Sequence, residues 1–92
     1  MIKSFRSKSL EKFYLDGDER GIQPHHSEKL GRILDTMDSA HNIKDMNYPG
    51  SNLHKLEPKT KDIWSVDLSG NWRIVFKYKE GDFYQVELKD TH

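Results

Sequence analysis

Three runs in the second half of the chain, "IWSVDLS" (63–69), "WRIVFKYK" (72–79) and "FYQVELKD" (83–90), alternate apolar and polar residues. A period of two is the pattern of a strand with one buried face. Gly70-Asn71 and Gly81-Asp82 stand between the runs as turn residues. Parallel neighbours need a crossover of a dozen residues or more. These connections are far shorter, so the runs must form an antiparallel meander. "NLHKLE" (52–57) reads as a further short strand, with a loop of Pro58 and the charged "KTKD" between it and the meander.

Before residue 51 the period is 3.6. "MIKSF" can open as a short strand, and Ser7 or Ser9 offers an N-cap for a first helix carrying Leu10, Phe13 and Tyr14 on one stripe. Gly17 stops it. A longer helix opens at Pro24 or Ser27 and aligns Leu30, Ile33, Leu34 and Met37. "IKDM" adds a helical turn, and "NYPGSN" is a turn cluster. Helices first and sheet second predict one α+β domain over residues 1–92, with two N-terminal helices packed on one face of a small, mostly antiparallel sheet. The other face is left partly open. It carries Ser65, Asp67 and Arg73.

Fifteen Lys and Arg balance fifteen Asp and Glu. The charge is segregated, however. Residues 1–12 and 55–79 each sum to +3, and residues 13–54 and 80–92 each to −3. If the two basic segments meet, they make a patch able to steer a polyanion; otherwise they are solvated surface. The chain has no cysteine, which excludes a disulfide framework and suits a reducing compartment. "MIKSFRSKSLEKF" lacks the apolar run of a secretory signal, and no segment approaches the roughly 20 apolar residues of a membrane span. A soluble, cytoplasmic protein is expected.

No two of the five histidines have the spacing that sets a pair of ligands on one helix face, and no cysteines assist, so no metal is expected. His25, His26 and His41 lie at helix ends and read as surface or capping residues. His54 interrupts an apolar strand, and His92 follows Asp90 by two. Together with Arg73 they match what metal-free RNA cleavage requires. A base takes the proton of a ribose 2′-hydroxyl, a fixed cation stabilises the charge on the phosphate, and an acid protonates the departing 5′-oxygen. The same residues also fit an edge-strand His, a terminal His, and an Arg paired with Asp67 or Asp90 as a structural ion pair.

"MIKSF", the "LH" of Leu53-His54, "WSV" (64–66), "NWRIVF" (71–76) and "KDTH" (89–92) follow one another in an order and spacing that resemble the HigB-type toxins of the RelE superfamily. The resemblance covers nearly the whole chain. It implies a RelE-like fold and a ribosome-dependent mRNA endonuclease that cuts messages in the A site and so inhibits translation, with no cofactor. It also implies three partners: a cognate antitoxin of the HigA helix-turn-helix type, the 70S ribosome and mRNA. Carried over by position, His54 and His92 are the proton-transfer candidates, Arg73 grips the scissile phosphate, and Asp90 orients His92 or the RNA. Asn71 and Thr91 join the RNA- and ribosome-binding set.

This sequence departs from the family at two points. Members end Asp-Tyr-His, whereas the middle residue here is Thr91, which offers no ring to stack on a base. Tyr84 and Tyr78 are the rings that could replace it. Glu57 stands where a cation is common, leaving Lys55, Lys59 and Lys61 for that task. Two other readings share the fold: a ParE-type gyrase poison, and a catalytically weak relative that only binds RNA or protein.

Overall fold

The computed structural model describes residues 1–56 and 62–91. Lys59, Lys61 and His92 lie outside the described residues. Helix α1 (Lys8–Asp16) begins where Ser7 Oγ accepts the Leu10 N–H at 3.3 Å. It ends at Gly17, whose left-handed φ of +71° lets its own N–H reach Phe13 O at 3.0 Å. Helix α2 (Ser27–Ser39) is entered through a 3₁₀ turn over Pro24–His26, so Pro24 and Ser27 both act as openings. Leu30, Ile33, Leu34 and Met37 are buried, as their spacing requires. A second 3₁₀ turn, Ile43–Met46, is held by a capping box: Asn42 Oδ1 accepts the Lys44 N–H at 2.9 Å, and Asp45 Oδ2 accepts the Asn42 N–H at 3.2 Å.

Among the described residues the sheet has four antiparallel strands in sequential order: β1 (His54–Lys55), β2 (Ile63–Ser69), β3 (Trp72–Lys79) and β4 (Asp82–Asp90). Val66 and Leu68 from β2, Ile74 and Phe76 from β3, and Phe83 and Val86 from β4 form one core with Leu10 and the buried face of α2. Both helices therefore pack on one sheet face. The N-terminal segment runs parallel to β4, with Ile2 opposite Phe83 and Phe5 opposite Val86. Lys3 N–H donates to Phe83 O at 2.7 Å and Arg6 N–H to Val86 O at 2.9 Å. These bonds occupy a strand edge that would otherwise be open to another chain. No helix among the described residues is long and apolar enough to cross a membrane.

Besides a register shift in β2 between Asp67 and Ser69, local detail departs from the sequence pattern in four places. Among the described residues of the expected "NLHKLE", 52–56, strand β1 covers His54–Lys55. The second hairpin turns on Glu80-Gly81, one residue earlier than the Gly81-Asp82 expected. Both residues take positive φ (+49° and +87°), as a type I′ turn demands. Strand β4 carries an extra residue opposite β3 between the Val75–Glu87 and Lys77–Tyr84 pairs, and there Gln85 has φ +54°. That bulge turns both Phe83 and Val86 inward, which strict alternation forbids.

The fourth departure is His26, which is 1% exposed instead of lying on the surface. Its ring meets Trp72 edge-on at 5.8 Å and His25 at 4.1 Å. Neither of its nitrogens has a hydrogen-bond partner among the described residues. Burial, and then the neighbouring His25, hold its pKa below the ordinary imidazole value. The unfolded chain therefore takes up a proton before the folded one does. Stability is complete above the unfolded value of about 6.5 and falls as pH drops below it, by no more than about 1.4 kcal/mol per pH unit. Urea unfolding at successive pH values should show this loss in the native protein, and a flatter pH dependence in His26→Phe. Equal slopes would assign the proton to another group.

Candidate active site on the open face of the sheet

Directly paired residues of a sheet share a face, so the register sorts the open face into rows. Asp67, Arg73 and Lys89 make one row, and Ser65, Val75 and Glu87 the next, which His54 joins by pairing with Ser65. Ile63, Lys77 and Tyr84 make the third. His54 and Arg73 thus lie on one face, two strands and two residues apart, about 12 Å between Cα atoms. Two long side chains can span that distance from either side of a bound phosphate.

Each is held by neighbours. The Pro49-Gly50 turn, closed by Ser51 N–H donating to Tyr48 O at 3.0 Å with Gly50 at φ +85°, delivers Ser51 to the edge of β2. There Ser51 O accepts the Asp67 N–H at 2.8 Å. Asn52 then takes a left-handed conformation, φ +48°, which aims its carbonyl at the His54 ring. Nδ1 of His54 lies 2.8 Å from Asn52 O. A carbonyl only accepts, so Nδ1 carries the proton and Nε2 presents its lone pair. Nε2 faces Ser65 Oγ at 3.4 Å, a long contact that a better donor would displace.

Arg73 Nη1 lies 3.2 Å from Asp67 Oδ1 and donates to Gly70 O at 3.3 Å. The ion pair that the sequence left open is therefore made with Asp67, directly across the ladder. It orients the guanidinium and leaves further donors of the fork for another acceptor. Asn52 Nδ2 donates to the other oxygen of Asp67 at 3.4 Å, which links the His54 and Arg73 supports through one carboxylate. The hydroxyl of Tyr48 behind it is pushed up to about 12, by burial first and the Asp67 charge second.

The remaining candidates are placed less centrally. Lys55 pairs with Trp64 on the helix side of the sheet, its Nζ 5.5 Å from the ring centroid. Asp90 pairs with Trp72, which gives it the parity opposite to Arg73. Asn71 and Thr91 meet each other: Asn71 O accepts both the Thr91 N–H at 2.9 Å and its hydroxyl at 2.8 Å. The hydroxyl thus fastens the end of β4 to the β2–β3 turn beside Arg73. The sequence reading missed Asn52 and Lys89. The first acts through a backbone carbonyl that no residue pattern displays, and the second reaches Arg73's row only because of the β4 bulge.

With this geometry in view, a family model described as the RelE-like toxin HigB of a type II toxin–antitoxin system matches residues 3–92. The chain belongs to the HigB-like toxin family. It is 32% identical over 92 residues to a Proteus vulgaris protein named endoribonuclease HigB, spanning all of both chains. It is 30% identical over 83 residues to toxin HigB-1 of Vibrio cholerae, covering 88% of this chain and 87% of that one. An uncharacterised Haemophilus influenzae protein is 34% identical over 90 residues, 96% of this chain and 88% of its own. As a HigB-like toxin of a type II pair, the protein has an antitoxin as its partner. His54 and Arg73 are the described candidates that this family member brings to one open face.

Proposed function

We propose that this HigB-like toxin is an endoribonuclease that cuts mRNA in the ribosomal A site and thereby stops translation. One observation carries the reading: an imidazole whose basic nitrogen is selected by a backbone carbonyl shares the open face with an arginine braced by a carboxylate. In the proposed step Nε2 of His54 takes the proton of a ribose 2′-hydroxyl. The 2′-oxygen attacks the adjacent phosphorus, and the bond to the 5′-oxygen breaks. Arg73 binds the phosphate oxygens and stabilises the charge that builds on them. His92 supplies the proton for the departing 5′-oxygen, leaving a 2′,3′-cyclic phosphate and a 5′-hydroxyl. Asp90 orients His92 or the RNA.

A net charge of zero leaves little sequence-independent affinity for a polyanion. The ribosome supplies the missing positioning by holding the message in place. Lys59 and Lys61 add cations to that contact, and the antitoxin is of the HigA helix-turn-helix type. Mapping transcript 5′ ends after brief induction tests this reading. New 5′-hydroxyl ends inside coding sequences are expected; intact messages accompanied by DNA damage would point to a gyrase poison instead.

A further inference from the structure

A depression of about 350 Å³ opens on the same sheet face, lined by Ser4, Lys77, Lys79, Glu80, Tyr84 and Gln85. Tyr84 is directly opposite Lys77 and so shares its face with Arg73, whereas Tyr78 packs inward against Phe83 at 5.2 Å. We propose that Tyr84 and Lys77 form a subsite for the nucleotide flanking the one gripped by Arg73, the ring stacking on the base and the ammonium meeting a phosphate. This rests on the reading of the open face as an RNA site.

The backbone is built to present that ring. Continued alternation from Val86 and Leu88 would send Tyr84 into the core. The bulge reverses it, with Gln85 at φ +54°, and three contacts between the N-terminal segment and Gln85-Val86 hold it. Ser4 Oγ accepts the Gln85 N–H at 2.9 Å, Arg6 Nη2 donates to Gln85 Oε1 at 2.9 Å, and Ser4 O accepts the Val86 N–H at 3.1 Å. Lys77 is four residues from Arg73 along β3, about 13 Å, with the row of His54 between them. Glu87, the acid of that middle row, is paired with Arg6 at 3.3 Å, so the path between the two cations is relieved of negative charge. Lys77 and Lys79 outweigh Glu80 at the pocket itself. A half-buried ring beside cations is what a single-stranded nucleotide recognises, whatever its sequence. Thr91, with its hydroxyl committed to Asn71, supplies no competing ring.

The test is a ¹⁵N NMR titration of the full-length protein with a 2′-O-methyl RNA hexanucleotide, which has no free 2′-hydroxyl to attack. Signals of Lys77, Tyr84 and Gln85 should shift together with those of Arg73. Tyr84→Leu, which keeps apolar bulk but no ring, should bind about tenfold more weakly, and Tyr84→Phe should bind like the native protein. An abasic site in the oligonucleotide should weaken the native protein and leave Tyr84→Leu unchanged. Shifts confined to the Arg73 end, with native affinity in Tyr84→Leu, would overturn the subsite and leave the RNA reading standing. Shifts nowhere on the open face even at millimolar oligonucleotide, where weak binding is still seen, would remove both. Shifts at Tyr84 caused by the antitoxin and not by RNA would make the pocket a protein contact and overturn the proposal.

Discussion

Arg73→Ala is expected to lower the rate of RNA cleavage by about 10²–10³-fold, the usual loss when one preorganised donor to a developing anion is removed. Growth arrest should disappear with it. The fold should survive. The Arg73–Asp67 pair is partly exposed, with side chains 25% and 31% accessible, so it adds at most about 1 kcal/mol to stability. The melting temperature should therefore move by no more than about 5 °C. Arg73→Lys should recover only part of the activity. A lysine keeps the charge but cannot pair with Asp67 and fork onto two phosphate oxygens at once. Full toxicity from a folded Arg73→Ala protein would remove the phosphate role and leave only the ion pair.

His54→Ala is expected to cost about 10²–10⁴-fold in rate, the range for a lost general base. His54 is exposed on a two-residue edge strand, so its removal should change stability by less than about 0.5 kcal/mol. The more telling readout is the pH–rate profile on a fixed message. The limb that reports the base should vanish in His54→Ala and remain in Arg73→Ala, because the arginine transfers no proton in the proposed step. A folded His54→Ala variant that keeps both its rate and that limb would assign the proton transfer elsewhere.

Much of this arrangement is written in residue type and spacing. The alternation of β3 places Trp72, Ile74 and Phe76 inward and therefore Arg73 outward, and the stripe on α2 fixes which sheet face is covered. The short connections leave no topology but a meander. Other features depend on single backbone angles. The bulge at Gln85 exchanges the parity of β4, and with it the placement of Tyr84 and Lys89, in a run whose alternation reads as regular. Asn52 looks like a turn residue, yet its left-handed backbone aims the carbonyl that selects the tautomer of His54. His26 reads as a helix-end polar residue but fills space beneath Trp72. In each case a long-range contact decides the outcome: Ser4 against Gln85, Asp67 against Ser51, Trp72 against His26. What spacing alone leaves open is whether a histidine on an edge strand and a cation two strands away belong to one site, as the family resemblance implies.

Incubating one mRNA with the purified toxin, with and without programmed 70S ribosomes, and reading the cut ends separates a ribosome-dependent nuclease from its rivals. Cleavage at the A-site codon on ribosomes, little cleavage of the free message and none by His54→Ala is the expected result. Equal cleavage in both tubes would contradict ribosome dependence, and intact message in both, with gyrase inhibited instead, would contradict the nuclease itself.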